Sequence, residues 1–193
     1  MNIGIYGGSF NPPHLGHLIV LESVQDQLRF DKVLFIPAAN PPHKNDPTLA
    51  PSADRLEMTR LAIEGNAVFQ ASDIEIKRDG RSYSIDTLDS LAAEHPGDKF
   101  SLIIGADNFL EFETWKSAQA ILTKAEVVVM NRQGFSVQPG KNEFVRMVRF
   151  VHVPDIGISS TDIRRRVKLG RSIRYLVPQS VENYIRRKGL YRD

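Results

Sequence analysis

Apolar residues along this chain follow two alternating rhythms. Short, nearly unbroken runs at residues 2–6 (NIGIY), 32–36 (KVLFI), 100–104 (FSLII), 126–130 (EVVVM) and 150–153 (FVHV) read as strands covered on both faces. Between them, apolar positions recur three and four apart, which is the spacing of a helix with one buried side. Residues 15–28 place Leu18, Val20, Leu21, Val24 and Leu28 in this way. A second helix is predicted from a Ser52 cap to about Glu64, stopped by Gly65; a third, capped by Ser84, turns Ile85, Leu88, Leu91 and Ala92 inward and ends at Pro96-Gly97. Residues 68–71 and 74–77 read as two more short strands before an Asp79-Gly80 turn. Near the carboxyl end, ISSTDIRRR opens a helix in which Ser159 and Asp162 have capping-box spacing, and a last helix starts at Pro178 and stops before Gly189. Residues 37–52 contain too many prolines for regular structure and form a long loop, a kind that is commonly functional.

Strands alternating with helices predict an α/β protein. We expect a single Rossmann-like, doubly wound domain over residues 1–193, with a mainly parallel sheet, right-handed crossovers and a carboxyl-terminal helical segment over about 158–193. Such sheets bind ligands beyond the carboxyl ends of their strands, where the strand order reverses. The loops after Tyr6, Ile36, Ile104 and Val153 are therefore expected to share one site.

Composition narrows the classes. At 193 residues, 41% hydrophobic and 25% charged, the chain suits one ordinary globular domain. It has no cysteine, which excludes disulfides, thiolate metal sites and a cysteine nucleophile. With no secretory leader pattern and no apolar run of membrane-spanning length, the expected location is cytoplasmic, with no membrane partner. The net charge of +2 hides an asymmetry: residues 160–193 carry ten Lys/Arg against three Asp/Glu, a balance of +7, and the rest of the chain carries −5. A basic block of that kind suits a polyanion or a compact anion such as a nucleoside triphosphate, or is simply a solvated helix face.

The candidate chemistry begins at GGSFNPPHLGH, residues 7–17, between the first strand and the first helix. Three residues apart on a helix, His14 and His17 lie about 60° apart around the axis, on one face. In a first helical turn they stand beside free backbone N–H groups that favour an anion. Gly7 and Gly8 allow close backbone approach, and Gly16 keeps a side chain out of the space between the histidines. The ensemble reads as a phosphate cradle carrying two imidazoles. A lone histidine would more simply be a surface or core residue, and a metal pair would want a third ligand nearby.

GSFNPPHLGH resembles the GxFxPxHxGH signature of the HxGH nucleotidyltransferases, and the later ISSTDIR, residues 158–164, resembles their second motif. Within that superfamily the chain is similar to the bacterial nicotinate-nucleotide adenylyltransferases over nearly its full length, through PPHK (41–44), SYSIDTL (82–88), IIGADNFLEFETW (103–115) and VENYIRRKGLY (181–191). The phosphopantetheine adenylyltransferases are a poorer match, with threonine where His14 stands.

The resemblance implies transfer of the adenylyl group of ATP to nicotinate mononucleotide, with Mg²⁺ carried on the ATP phosphates. It implies that His17 contacts the α-phosphate, that His14 assists along the triphosphate, and that Gly8, Ser9 and Phe10 give backbone contacts. Arg164, with the N–H groups of Ser160 and Thr161, would hold the β- and γ-phosphates. Lys44, next to His43, would reach the phosphates from the proline-rich loop. Gly105, Asp107 and Arg132 would bind the nucleotide, Asp107 through ribose or nearby contacts, and Trp115 would stack on the pyridine ring in a pocket with Asn40 and Thr87. Lys116 departs from the Tyr or His common after that tryptophan, and could meet the nicotinate carboxylate or point into solvent. A homo-oligomer is left open. A nucleic-acid partner is not expected: the basic segment lacks interleaved aromatics, a zinc-finger pattern or an RNA-recognition signature.

Overall fold

The computed structural model describes residues 1–41, 48–78, 80–131 and 143–192. Within these residues six strands form one sheet: β1 (Asn2–Gly8), β2 (Lys32–Pro37), β3 (Phe69–Ala71), β4 (Lys99–Gly105), β5 (Glu126–Asn131) and β6 (Arg149–His152). All five pairings are parallel, in the order β3-β2-β1-β4-β5-β6. The expectation of a mainly parallel sheet thus becomes a fully parallel one among the described residues. The chain works outward from β1 to β3, then returns to the other side of β1 to build β4, β5 and β6. The switch in strand order therefore falls between β1 and β4, where Ile5 sits opposite Leu102.

Among the described residues, seven α-helices accompany the sheet: α1 (Leu15–Leu28), α2 (Ser52–Ile63), α3 (Ser84–Glu94), α4 (Ala106–Leu110), α5 (Ala118–Lys124), α6 (Ser160–Lys168) and α7 (Gln179–Lys188). Alternate residues of each strand enter different cores, which is why the strands are apolar throughout. Ile3, Ile5, Leu34, Ile36, Leu102, Ile104, Val127 and Val129 pack with Leu88 and Leu91 of α3 and Ile121 of α5. On the other face, Val33, Phe35, Ile103, Val128 and Val151 pack with Leu21 and Val24 of α1. A third cluster joins α2, α6 and α7 through Met58, Ile163, Val181 and Ile185. It fixes the carboxyl-terminal segment against the rest of the protein.

Several boundaries differ from the sequence reading. Residues 74–77 are not a strand: the Lys77 N–H donates to the Asp73 carbonyl, 2.9 Å, in a turn that leaves the sheet and buries Ile74 and Glu75. Ser52 and Ser84 are the first residues of their helices, not caps, since Pro51 and Tyr83 occupy the cap positions. Pro178 likewise caps α7 instead of opening it, and Gly189 ends that helix at φ +66°. Ser159 does cap α6, its hydroxyl accepting from the Asp162 N–H at 3.2 Å. The short helix α5 carried too little periodicity to be read from the sequence.

Candidate active site

The carboxyl ends of β1 and β4 open onto a cavity of about 950 Å³, toward the upper end for small-ligand sites. Four helices begin at its rim. The residues lining it include His14, Gly16 and His17 at the start of α1, Ser82 and Ser84 at α3, Gly105 to Asn108 at α4, and Ser159 to Thr161 with Arg164 at α6. The parallel sheet is the cause: β1, β3, β4 and β6 end at this edge, and the helices that follow them begin there.

His14 is the N-cap of α1 and His17 stands in its first turn, with their rings stacked at 3.6 Å between centroids and 20° between planes. Gly16 permits this, because a Cβ there would lie 3.0 Å from His14 Nδ1. Gly8 likewise lets the buried Phe10 ring fold over it, as a Cβ would meet that ring at 3.2 Å, and Phe10 itself is held at φ +44°, an uncommon conformation for a bulky residue. Burial draws the His14 pKa down to about 4, and burial together with the neighbouring His14 holds His17 well below its usual value. At neutral pH the ligand-free imidazoles are therefore neutral. The His14 N–H donates to His17 Nδ1 at 3.2 Å. With Nδ1 an acceptor, the ring proton of a neutral His17 resides on Nε2. His17 is thereby set as a hydrogen-bond donor from Nε2.

The closing motif is bonded to the opening one. Arg164 Nη1 donates to the Asn11 carbonyl at 2.9 Å, and Ser160 Oγ to the Pro12 carbonyl at 2.8 Å. The neighbouring arginines turn elsewhere: Arg165 and Arg166 both pair with Asp162 on their own helix. Of the three consecutive arginines, Arg164 is the one that lines the cavity.

The profile of the cytidylyltransferase-like family matches residues 5–166 of this chain. The chain belongs to that family. Among its curated relatives is a protein of Thermus thermophilus, 44% identical over 192 residues covering the whole of both chains. Another, from Salinibacter ruber, is 43% identical over 192 residues, all of this chain and 98% of the relative. Both bear the name "Probable nicotinate-nucleotide adenylyltransferase". Among solved structures, the Plasmodium falciparum nicotinic acid mononucleotide adenylyltransferase complexed with NaAD superposes with a TM-score of 0.80 at 19% identity, over 98% of this chain and 97% of that one. Its complex with APC gives 0.79 at 18% identity, over 98% and 96%. At these identities the likeness is one of fold.

Within the fold of this family, the remaining candidates separate. Gly8, Ser9, Phe10, Gly105, Asp107, Ser160, Thr161 and Trp115 all line the cavity together with the histidines and Arg164. Gly105 caps α4, so Asp107 is not the cap and is free to face the opening. Trp115 is half core and half wall, tilted against Phe112 at 5.4 Å between ring centroids. Two expected pocket residues are not part of the lining, Thr87 being buried and Asn40 exposed. Thr87 is buried, its hydroxyl donating to Glu75 Oε1 at 2.7 Å, and Asn40 uses its side-chain amide on the Gly80 carbonyl at 3.0 Å. Lys116 pairs with Asp86 at 2.9 Å and lies over the Tyr83 ring. His43, Lys44 and Arg132 lie outside the described residues.

Sequence reasoning missed the supports. Arg55, 1% exposed, donates from Nε to the Ala50 carbonyl, from Nη1 to that of Ser9 and from Nη2 to that of Ala39, at 2.9, 2.9 and 3.3 Å. Asn11 donates to the Thr48 carbonyl and accepts from the Ala50 N–H and the Tyr191 hydroxyl. Arg55 had one available signal, since its position among Leu56, Met58 and Thr59 falls on the inward face of α2.

Proposed function

We propose that this chain joins ATP to nicotinate mononucleotide, forming nicotinate adenine dinucleotide and releasing pyrophosphate, a step of NAD biosynthesis. The observation that carries this reading is the meeting of the two motifs: His14, His17 and Arg164 line one cavity, with Trp115 on the same lining. Full-length relatives at 43–44% identity bearing the adenylyltransferase name support the choice of substrates.

In this reaction an oxygen of the mononucleotide phosphate forms a bond to the α-phosphorus of ATP. The bond from that phosphorus to the bridging oxygen breaks, and pyrophosphate leaves with the electron pair. The attacking phosphate is already ionised, so no side chain need remove a proton. The chain supplies alignment and stabilisation of developing negative charge. His17, donating from Nε2, is suited to a non-bridging oxygen of the α-phosphate. The N–H groups at the start of α6 and the Arg164 guanidinium are suited to the departing pyrophosphate.

Mg²⁺ is expected to be held mainly by the ATP phosphates and water, with Asp107 a carboxylate on the same lining. When bound, that ion would neutralise charge on the triphosphate. No helix among the described residues is long and apolar enough to cross a membrane, and we place the reaction in the cytoplasm.

A pyrophosphate-release assay run in parallel with nicotinate mononucleotide, nicotinamide mononucleotide and phosphopantetheine tests the reading. Turnover with the first is expected. Turnover with phosphopantetheine alone would replace the acceptor, and turnover with none would remove the activity.

A further inference from the structure

Near the end of the chain, VENYIRRKGLY carries a tyrosine that the chemistry above does not use. Gly189 ends α7 at φ +66°, and Tyr191 two residues later takes φ +63°. A tyrosine seldom holds that conformation unless its surroundings fix it. Here the Leu190 N–H donates to the Ile185 carbonyl at 3.1 Å, and the Tyr191 ring packs on the cluster that joins α2, α6 and α7. Its hydroxyl comes to rest 2.8 Å from Asn11 Oδ1, in the loop after β1.

Asn11 is 1% exposed, and its bonds have fixed directions. The Ala50 N–H can only donate, and does so to Oδ1 at 3.0 Å; the Thr48 carbonyl can only accept, and takes Nδ2 at 3.0 Å. Together they settle which end of the amide is oxygen. Tyr191 faces that oxygen, so its hydroxyl is the donor. Burial pushes the hydroxyl above its ordinary pKa, and it keeps its proton through the neutral range. The main-chain carbonyl of the same Asn11 accepts from Arg164 Nη1 at 2.9 Å, and the next carbonyl, that of Pro12, accepts from Ser160 Oγ at 2.8 Å. Asn11 is thus held by its side chain and holds the start of α6 by its backbone.

From this geometry we infer that Tyr191 is a positioning residue for the triphosphate: through Asn11 it fixes the carbonyl against which Arg164 is set in the cavity. Tyr191 is not part of the cavity lining, so any effect on a ligand must pass through the residues it holds. The inference rests on the adenylyltransferase reading for its ligands, ATP and pyrophosphate, and is indifferent to which acceptor takes the adenylyl group.

Tyr191→Phe removes the hydroxyl and keeps the ring. Steady-state kinetics should show kcat/KM for ATP falling about fivefold, within the range of one hydrogen bond, while the KM for nicotinate mononucleotide stays within about twofold. Inhibition by added pyrophosphate should weaken alongside. A double-variant cycle decides the route: in an Arg164→Ala background, Tyr191→Phe should change ATP affinity, read by calorimetry, less than about twofold, because the group it positions is gone. The inference is overturned if Tyr191→Phe leaves kcat/KM for ATP unchanged, if its full effect persists without Arg164, or if both KM values rise together as thermal stability falls. If Tyr191→Phe does not fold, Tyr191→Met decides by the same criteria, and failure of both to fold would make the hydroxyl a folding determinant and overturn the inference. Wild-type protein that neither binds ATP nor releases pyrophosphate with any acceptor would sink the functional reading as well, whereas an active wild type with an indifferent Tyr191→Phe overturns this inference alone.

Discussion

His17 has its orientation set by its own helix: the His14 main-chain N–H occupies Nδ1 and leaves Nε2 to donate. Replacing it with alanine removes one transition-state contact, so kcat for adenylyl transfer should fall on the order of 100-fold or more. An unchanged kcat would discard the role. His14 can be tested through stability. Its folded pKa lies near 4, against 6.5 for an unperturbed imidazole, so between those values the unfolded chain binds a proton that the folded chain does not. Stability is then fully present above about pH 6.5 and declines as the pH falls toward 4. Thermal melts of the ligand-free protein from pH 7 to 5 should show this loss, and His14→Asn should flatten it. An equal slope in the variant would mean that other groups set the acid limit. The histidine pair was legible in the sequence by spacing alone. Its neutrality was not, because desolvation depends on Phe10, Tyr6 and the carboxyl-terminal segment packing around it.

At the scale of elements, α2 shows how a helix distant from the chemistry can hold the site. Arg55 reaches three carbonyls, from the loop after β1, the loop after β2 and the entry to α2. Arg55→Met keeps most of the buried volume but leaves these acceptors without their donor. A loss of about 3 kcal/mol or more in urea unfolding is expected, and retention of wild-type stability would show that water or rearrangement replaces the guanidinium. Boundaries such as Leu15–Leu28 matched the sequence rhythm because packing and propensity agree there. Residues 74–77 did not, since alternation of Ile74 and Ile76 with charged neighbours imitates a strand. What decides that segment is contact made across the fold, where the Glu75 carboxylate accepts from the Thr87 hydroxyl twelve positions away.

For the molecule as a whole, the doubly wound sheet and its ligand edge could be read from the order of apolar runs. The balance of +7 in residues 160–193 was a poorer guide to the site. Asp162 pairs with Arg165 and Arg166, Glu182 with Arg186, and Asp54 with Lys188, so much of that block is answered locally and Arg164 alone of its arginines lines the cavity. Among the described residues, attraction for the triphosphate therefore falls to Arg164 and main-chain N–H groups. The KM for ATP should change less than about threefold between about pH 7.5 and pH 9.5. A steep rise over that interval, measured at constant ionic strength and saturating mononucleotide, would point to a titrating amine in the site.

Four helix beginnings around one hollow give it a polarity built into the covalent backbone. Among the described lining residues there is no lysine to acetylate, and the chain has no cysteine to oxidise. That polarity does not titrate, and it survives the replacement of any one lining side chain.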